Sequence, residues 1–146
     1  MRYRPLGNSG TVVSVHTLGT MTFGDEADES TSGRMIEAFV EAGGTLLDTA
    51  DVYSQGVSEQ IIGRWLAAHP TEAKQLVIAT KGRFPMGPGR NDVGTSRRHL
   101  ADALDSSLAR LGVERIDLYQ MHWPADDGTS VIAGFRRTTA RPCATG

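Results

Sequence analysis

The sequence has a single cysteine, Cys143, among its 146 residues. One cysteine cannot form an intramolecular disulfide, which argues against a small secreted fold held together by such bonds. No segment approaches the roughly 20 consecutive apolar residues that a membrane helix needs, and Met1–Pro5 lacks the apolar stretch of a signal peptide. We therefore expect a cytoplasmic protein without membrane insertion.

An excess of positive charge is also lacking. The 15 Lys and Arg residues are balanced by 17 Asp and Glu residues, for a formal net charge of -2. Such a chain has no general field that attracts phosphate backbones, so we expect no nucleic-acid partner. The histidines are scattered and the lone cysteine lies near the C-terminus, so no metal site is expected.

A strand and helix pattern repeats along the chain. Turn formers between the short segments 2–4 and 11–15 predict a hairpin. Further strands are predicted at 18–21, 45–47, 76–80 and 116–121, and helices near 30–42, 58–68 and 100–111. Strands joined by helices lie parallel with right-handed crossovers, so the predicted fold class is α/β. Both an open doubly wound sheet and a barrel fit this pattern, but the glycine-rich phosphate loops of open sheets are missing, which favours a barrel.

Polar residues stand at the ends of the predicted strands. Asp48, Lys81 and His122 each close a strand, and Tyr53 follows Asp48 by five residues. In a parallel barrel the C-terminal strand ends converge on one mouth, where catalytic groups lie. Taken singly, each residue also has a structural interpretation: a turn cap, packing, a solvated lysine or a satisfied core histidine.

The four residues together suggest general acid catalysis. A tyrosine, with a free pKa of about 10, is a poor acid at neutral pH unless a nearby cation stabilises its phenolate. Lys81 could be that cation, and Asp48 could pair with it. With His122 orienting the substrate, the set predicts protonation of a carbonyl oxygen during a reduction.

Four segments resemble the aldo-keto reductase family in order and spacing. The resemblance covers about residues 1–130, and its motifs are Leu18-Gly19-Thr20-Met21-Thr22-Phe23-Gly24, Leu47-Asp48-Thr49-Ala50-Asp51-Val52-Tyr53-Ser54, Ile78-Ala79-Thr80-Lys81 and Asp117-Leu118-Tyr119-Gln120-Met121-His122-Trp123-Pro124. The resemblance implies a (β/α)8 TIM barrel, present here in part as an N-terminal β-hairpin plus about four βα units. It also implies NADPH as the cofactor and a small aldehyde or ketone, reduced to an alcohol, as the substrate.

The resemblance also implies roles for individual residues. Tyr53 would be the proton donor, Lys81 and Asp48 would tune it, and His122 would position the carbonyl. Residues near the nicotinamide ribose would be Gly19, Thr20, Met21 and Asp48. The substrate pocket would be walled by Phe23 and Trp123.

The length of the chain limits these expectations. A barrel of this kind takes about 250 residues, and the family residues that grip the cofactor phosphates and carboxamide come from later strands. Activity of the isolated chain is therefore in doubt. The alternatives are a non-catalytic, NADPH-binding or regulatory subunit of the channel-auxiliary type, or an inactive fragment. A half barrel also leaves two unpaired strand edges, so we expect self-association.

The last residues have a different composition. No acidic residue follows Asp127, and residues 131–146 show no sustained apolar period. We expect a reductase half-domain at 1–130 and an irregular, disordered tail at 131–146. One hypothesis is a shift of reading frame near residue 130; the alternative is a native, weakly basic disordered tail.

Overall fold

The computed structural model describes residues 1–123, so the predicted tail at 131–146 lies outside the described residues. The chain begins with an antiparallel hairpin of β1 (Tyr3–Pro5) and β2 (Val12–Ser14). Four parallel strands follow in the spatial order β3-β4-β5-β6. They are β3 (Thr17–Gly19), β4 (Leu46–Asp48), β5 (Val77–Gly82) and β6 (Leu118–Met121). The predicted hairpin and parallel α/β fold are confirmed.

Helices connect consecutive strands of the sheet. They are α1 (Glu29–Glu41), α2 (Val57–Ala68), the short α3 (Pro70–Ala73) and α4 (Arg97–Leu111). The Asp28 and Ser96 side chains accept hydrogen bonds from backbone N–H groups in the first turns of α1 and α4. Gly112 ends α4 in the left-handed conformation that glycine adopts without strain. In the described part of the chain, no helix is long and apolar enough to cross a membrane.

Side chains alternate between the two faces of the parallel sheet. One face packs against the helices in the main core, which includes Leu47, Ile78 and Tyr119. The opposite face carries a smaller cluster of Val13, Leu46, Val77 and Ala79, with Leu6 and Leu118 packed against it. Because successive strand residues point to opposite faces, Asp48, Lys81 and Gln120 share the face of this smaller cluster.

The hairpin covers one end of that face. Val13 of β2 is 3% exposed and belongs to the smaller cluster. The Ser14 N–H donates to Thr45 Oγ1 at 2.8 Å, and the Thr45 N–H donates to Ser14 Oγ at 3.0 Å. These paired bonds fix the hairpin beside the N-terminal end of β4, so the site at the C-terminal ends of the strands lies away from it.

A buried ion pair joins β5, α2 and α4. Glu59 is fully buried and accepts from Arg110 Nε at 2.7 Å and from Thr80 Oγ1 at 2.6 Å. Both carboxylate oxygens are therefore bonded, which a buried charge requires. This contact holds the two helices against the strand that carries Lys81.

Gly63 of α2 packs directly against the backbone at the end of α4. A Cβ placed there would lie 2.5 Å from the Arg110 carbonyl oxygen and 2.9 Å from the Leu111 carbonyl oxygen. Those atoms are backbone and cannot move aside alone. At Gly33 in α1, by contrast, the nearest atom to an added Cβ is 3.9 Å away.

We predict that Gly63→Ala lowers the free energy of unfolding by about 1–3 kcal/mol, the usual cost of overpacking. The matched control, Gly33→Ala, should be neutral or stabilising by up to about 1 kcal/mol, because alanine favours helix and space is available. Chemical denaturation of both variants measures the difference. Equal stability of the two variants would contradict the close packing of α2 on α4.

Candidate active site

The Lys81 ammonium joins three groups at the C-terminal ends of the strands. Its Nζ lies 2.7 Å from Asp48 Oδ2, 2.8 Å from the Thr49 carbonyl oxygen and 3.3 Å from the Tyr53 hydroxyl. The ammonium also lies 4.9 Å from the centre of the Tyr53 ring. The Lys81 side chain is 13% exposed and that of Asp48 is 30% exposed, so the pair is largely shielded from water. The structure thus brings together three of the four residues predicted from the strand ends.

His122, the fourth predicted residue, packs against Tyr53. The two rings meet edge to face with centres 5.5 Å apart. Burial lowers the pKa of the His122 imidazole below its ordinary value of 6.5, the Lys81 ammonium lowers it further, and the Asp48 carboxylate offsets part of this decrease. At neutral pH the imidazole is therefore uncharged and can donate one N–H to an oxygen atom.

Two residues of the site were missed by the sequence reasoning. Gln120 Nε2 donates to Asp48 Oδ1 at 3.2 Å, so the second carboxylate oxygen also has a donor. The Phe84 ring meets His122 edge to face at 4.8 Å. Gln120 could have been found from its position two residues before His122 on the same strand face, whereas no sequence signal singles out Phe84.

The turn after Tyr53 has an unusual backbone. Ser54 and Gln55 have positive φ angles of 47° and 53°, and Gly56 follows with φ of 90°. Left-handed conformations cost non-glycine residues about 1–3 kcal/mol each and persist only where surrounding contacts hold them. One such contact is the Ser54 hydroxyl, which donates to the Phe23 carbonyl oxygen at 2.8 Å. These constraints direct Tyr53 back toward Lys81.

The residues predicted to lie near a cofactor differ in accessibility. Gly19 and Met21 are exposed at the end of β3, and a Cβ at Gly19 would meet nothing within 4 Å. The Thr20 side chain is fully buried, and its hydroxyl donates to the Asp48 carbonyl oxygen at 3.1 Å. The Thr20 side chain thus braces the loop after β4, and a position near the cofactor for this residue stays a prediction.

The two predicted pocket walls also differ in accessibility. Phe23 is fully buried and packs in the main core with Ile36 and Leu47. The chain turns at Gly24, where φ is 79°, and the assignment of Phe23 to the pocket stays a prediction. Trp123 is 63% exposed directly after His122, and its assignment to the pocket stays a prediction.

A phenol in contact with an ammonium thus lies at the C-terminal ends of four parallel strands joined by helices. The model of the aldo/keto reductase family matches residues 17–134, and the chain belongs to this family. The chain is 37% identical over 138 residues to Protein tas of Escherichia coli, a match covering 85% of this chain and 39% of that protein. It is 35% identical over 133 residues to a probable voltage-gated potassium channel subunit beta of rice, Oryza sativa. That match covers 90% of this chain and 40% of the rice protein.

A solved structure supports the partial barrel. The holo form of an aldo-keto reductase from Bacillus halodurans superposes with a TM-score of 0.71 at 35% identity, covering 83% of this chain and 40% of that one. The chain thus spans about two fifths of the length of the relatives it matches.

Asp51 is a second buried carboxyl next to the site. It is fully buried, and neither of its oxygens makes a hydrogen bond to another described residue. Burial, and then the charge of Glu59, raise the pKa of the Asp51 carboxyl from 3.8 to about 7, while the Val52 N–H, Arg110 and Lys81 offset part of the increase. Its own N–H donates to the Lys81 carbonyl oxygen at 3.0 Å, so the residue is anchored to β5.

This pKa predicts a stability that falls as the pH rises. Between pH 3.8 and about pH 7 the folded chain holds a proton on Asp51 that the unfolded chain has lost. The contribution of this proton to the free energy of unfolding is complete below pH 3.8 and is lost above about pH 7. Asparagine has no carboxyl proton to lose. The free energy of unfolding of Asp51→Asn, relative to that of the native chain, should therefore rise by about 2 kcal/mol between pH 5 and pH 8.

Thermal or urea unfolding at the two pH values measures the change. Asp25→Asn, at an exposed turn position, is the matched control and should track the native chain at both. A pH dependence of Asp51→Asn identical to that of the native chain would contradict the protonation of the buried carboxyl.

Proposed function

We propose that this chain takes part in NADPH-dependent reduction of an aldehyde or ketone to an alcohol, with Tyr53 as the proton donor. The observation that carries this proposal is the 3.3 Å contact between Lys81 Nζ and the Tyr53 hydroxyl. Membership of the aldo/keto reductase family supports an oxidoreductase of this class. The cytoplasmic location expected from the sequence stays a prediction.

Each side chain of the site has a part in the proposed proton transfer. The Tyr53 hydroxyl donates its proton to the carbonyl oxygen, and the adjacent Lys81 ammonium stabilises the phenolate that remains. Asp48 and the Thr49 carbonyl hold the ammonium in place. The neutral His122 imidazole donates an N–H to the carbonyl oxygen and so places it next to the phenol. Phe84 and Trp123 would line the entrance on the His122 side.

The cofactor would supply the hydride that the carbonyl carbon receives. In the described part of the chain, Gly19 and Met21 would hold its nicotinamide end. The fit rests on the open space at the missing Gly19 Cβ and on the exposure of Met21, both adjacent to Asp48 at the strand ends. The similar aldo-keto reductase from Bacillus halodurans was solved in a holo form, which supports cofactor binding by this class of protein.

A second candidate function is a regulatory, cofactor-binding subunit. The observation that favours it is the 35% identity to the rice channel subunit over 90% of this chain. Such a protein would bind NADPH and turn over carbonyls slowly or not at all. Fluorescence titration with NADPH, followed by an assay of carbonyl-dependent NADPH oxidation, separates the two candidates.

We predict that Tyr53→Phe lowers the rate of carbonyl-dependent NADPH oxidation by about 10²–10⁴-fold, the usual contribution of a positioned acid. Cofactor affinity should be retained, because the ring and its contact with His122 remain. Tyr3→Phe, in the hairpin at the other end of the strands, is the control and should keep native activity. A native chain without carbonyl-dependent oxidation, or a Tyr53→Phe variant as active as the native chain, would contradict the proposal.

We also predict self-association in solution. Within residues 1–123, β3 and β6 each pair with a neighbour on one side of the sheet, and unpaired strand edges promote pairing between chains. Sedimentation velocity over a range of concentrations should show dimers or larger species. A monomer at every concentration, with a sharp cooperative melting transition, would contradict this prediction.

A further inference from the structure

Gln120 contacts the site, but the proposed chemistry gives its side chain no part. Strand β6 lies next to β5, and Gln120 is the register partner of Lys81. Side chains of register partners in parallel strands point to the same face. The Gln120 amide therefore extends over the same surface as the Lys81 ammonium and reaches Asp48, two strands away, at 3.2 Å.

Asp48 is consequently held at both carboxylate oxygens. Lys81 Nζ donates to Oδ2 at 2.7 Å and Gln120 Nε2 donates to Oδ1 at 3.2 Å. Two donors from different strands fix the plane of the carboxylate, which a single donor would leave free to rotate. The orientation of Asp48 in turn determines where the Lys81 ammonium rests.

Of the three contacts that the Lys81 ammonium makes, the one with Tyr53 is the most easily broken when the ammonium moves. At 3.3 Å it is longer than the contacts with Asp48 and the Thr49 carbonyl. A small turn of the Asp48 carboxylate would draw the ammonium away from the phenol first, because hydrogen bonds longer than about 3.2 Å are already at the edge of the usual range.

We propose that Gln120 is a positioning residue, which acts through Asp48 to keep the Lys81 ammonium against the Tyr53 hydroxyl. An amide suits this part because it is neutral. A cation at the same place would compete with Lys81 for the carboxylate, and a second carboxylate would repel it. The effect of Gln120 on turnover rests on the proposed function, whereas its effect on the position of the Lys81 ammonium does not.

Selective labelling tests the geometry directly. The chain has two lysines, Lys74 and Lys81, and three tyrosines, Tyr3, Tyr53 and Tyr119. In a chain carrying ¹³C at the lysine Cε and tyrosine Cζ positions, Gln120→Met should shift the Lys81 and Tyr53 resonances. Methionine has a similar length but cannot donate a hydrogen bond. The resonances of Lys74 and Tyr3, which lie elsewhere, should stay in place.

Gln60→Met is the matched control, since Gln60 is exposed on α2, and it should shift none of these signals. A folded Gln120→Met chain with the Lys81 and Tyr53 resonances at their native positions overturns the proposal. Where Gln120→Met does not fold, Asp48→Asn provides the reciprocal measurement. It should shift the side-chain amide resonance of Gln120 and not that of Gln60, and an unmoved Gln120 resonance overturns the proposal.

Turnover distinguishes this proposal from the function itself. In a native chain that oxidises NADPH with a carbonyl, Gln120→Met should lower kcat by about 10- to 100-fold, because a misplaced catalytic group costs rate, and KM for NADPH should stay unchanged. Native kcat in Gln120→Met overturns the positioning role alone. Absence of turnover in the native chain contradicts the proposed function. The positioning role of Gln120 is then tested by the Lys81 and Tyr53 resonances alone.

Discussion

The ammonium of Lys81 is the contact on which the geometry of the site depends. It joins the end of β4 through Asp48, the following loop through the Thr49 carbonyl and the strained turn through Tyr53. An ammonium that is 13% exposed has lost much of its hydration, so it requires partners that replace water. The same need for partners explains why one side chain can hold three segments of backbone in a fixed arrangement.

The surrounding fold keeps those segments in reach of the ammonium. A buried cluster of hydroxyl groups braces the loop after β4, with Ser58 Oγ lying 3.0 Å from the hydroxyl groups of both Thr49 and Thr20. Behind β5, the fully buried Glu59 binds Thr80 and Arg110. Polar contacts on the helix side of the sheet thus immobilise the backbone, while the ionised pair on the other side keeps limited access to solvent. The strain at Ser54 and Gln55 is tolerated because both sets of contacts hold the turn.

The sequence predicted the repeating architecture and the four polar strand ends, because strand alternation, helix periodicity and the convergence of parallel strand ends are local rules. These local rules do not predict where side chains outside the strands point. Phe23, predicted as a pocket wall, is fully buried and packs in the main core, which no local pattern indicates. Asp51 stands three residues after Asp48 in the same motif, and no local pattern distinguishes the fully buried carboxyl from the half-exposed one. Gln120 was missed because an amide carries no chemical signal until its partner is known.

The two halves of the proposed reaction depend on different parts of the molecule. The proton side is contained in residues 48–122, where the ammonium contacts both the carboxylate and the phenol, and the imidazole packs against the phenol ring. The hydride side depends on a bound cofactor, toward which the described residues offer the open surface at Gly19 and Met21. A relative that had lost turnover could keep the residues of the proton side, because their contacts also stabilise the loop after β4 and the turn after Tyr53. The presence of the four polar residues therefore supports the reductase chemistry without separating it from a cofactor-binding subunit, and the distinction rests on hydride transfer itself.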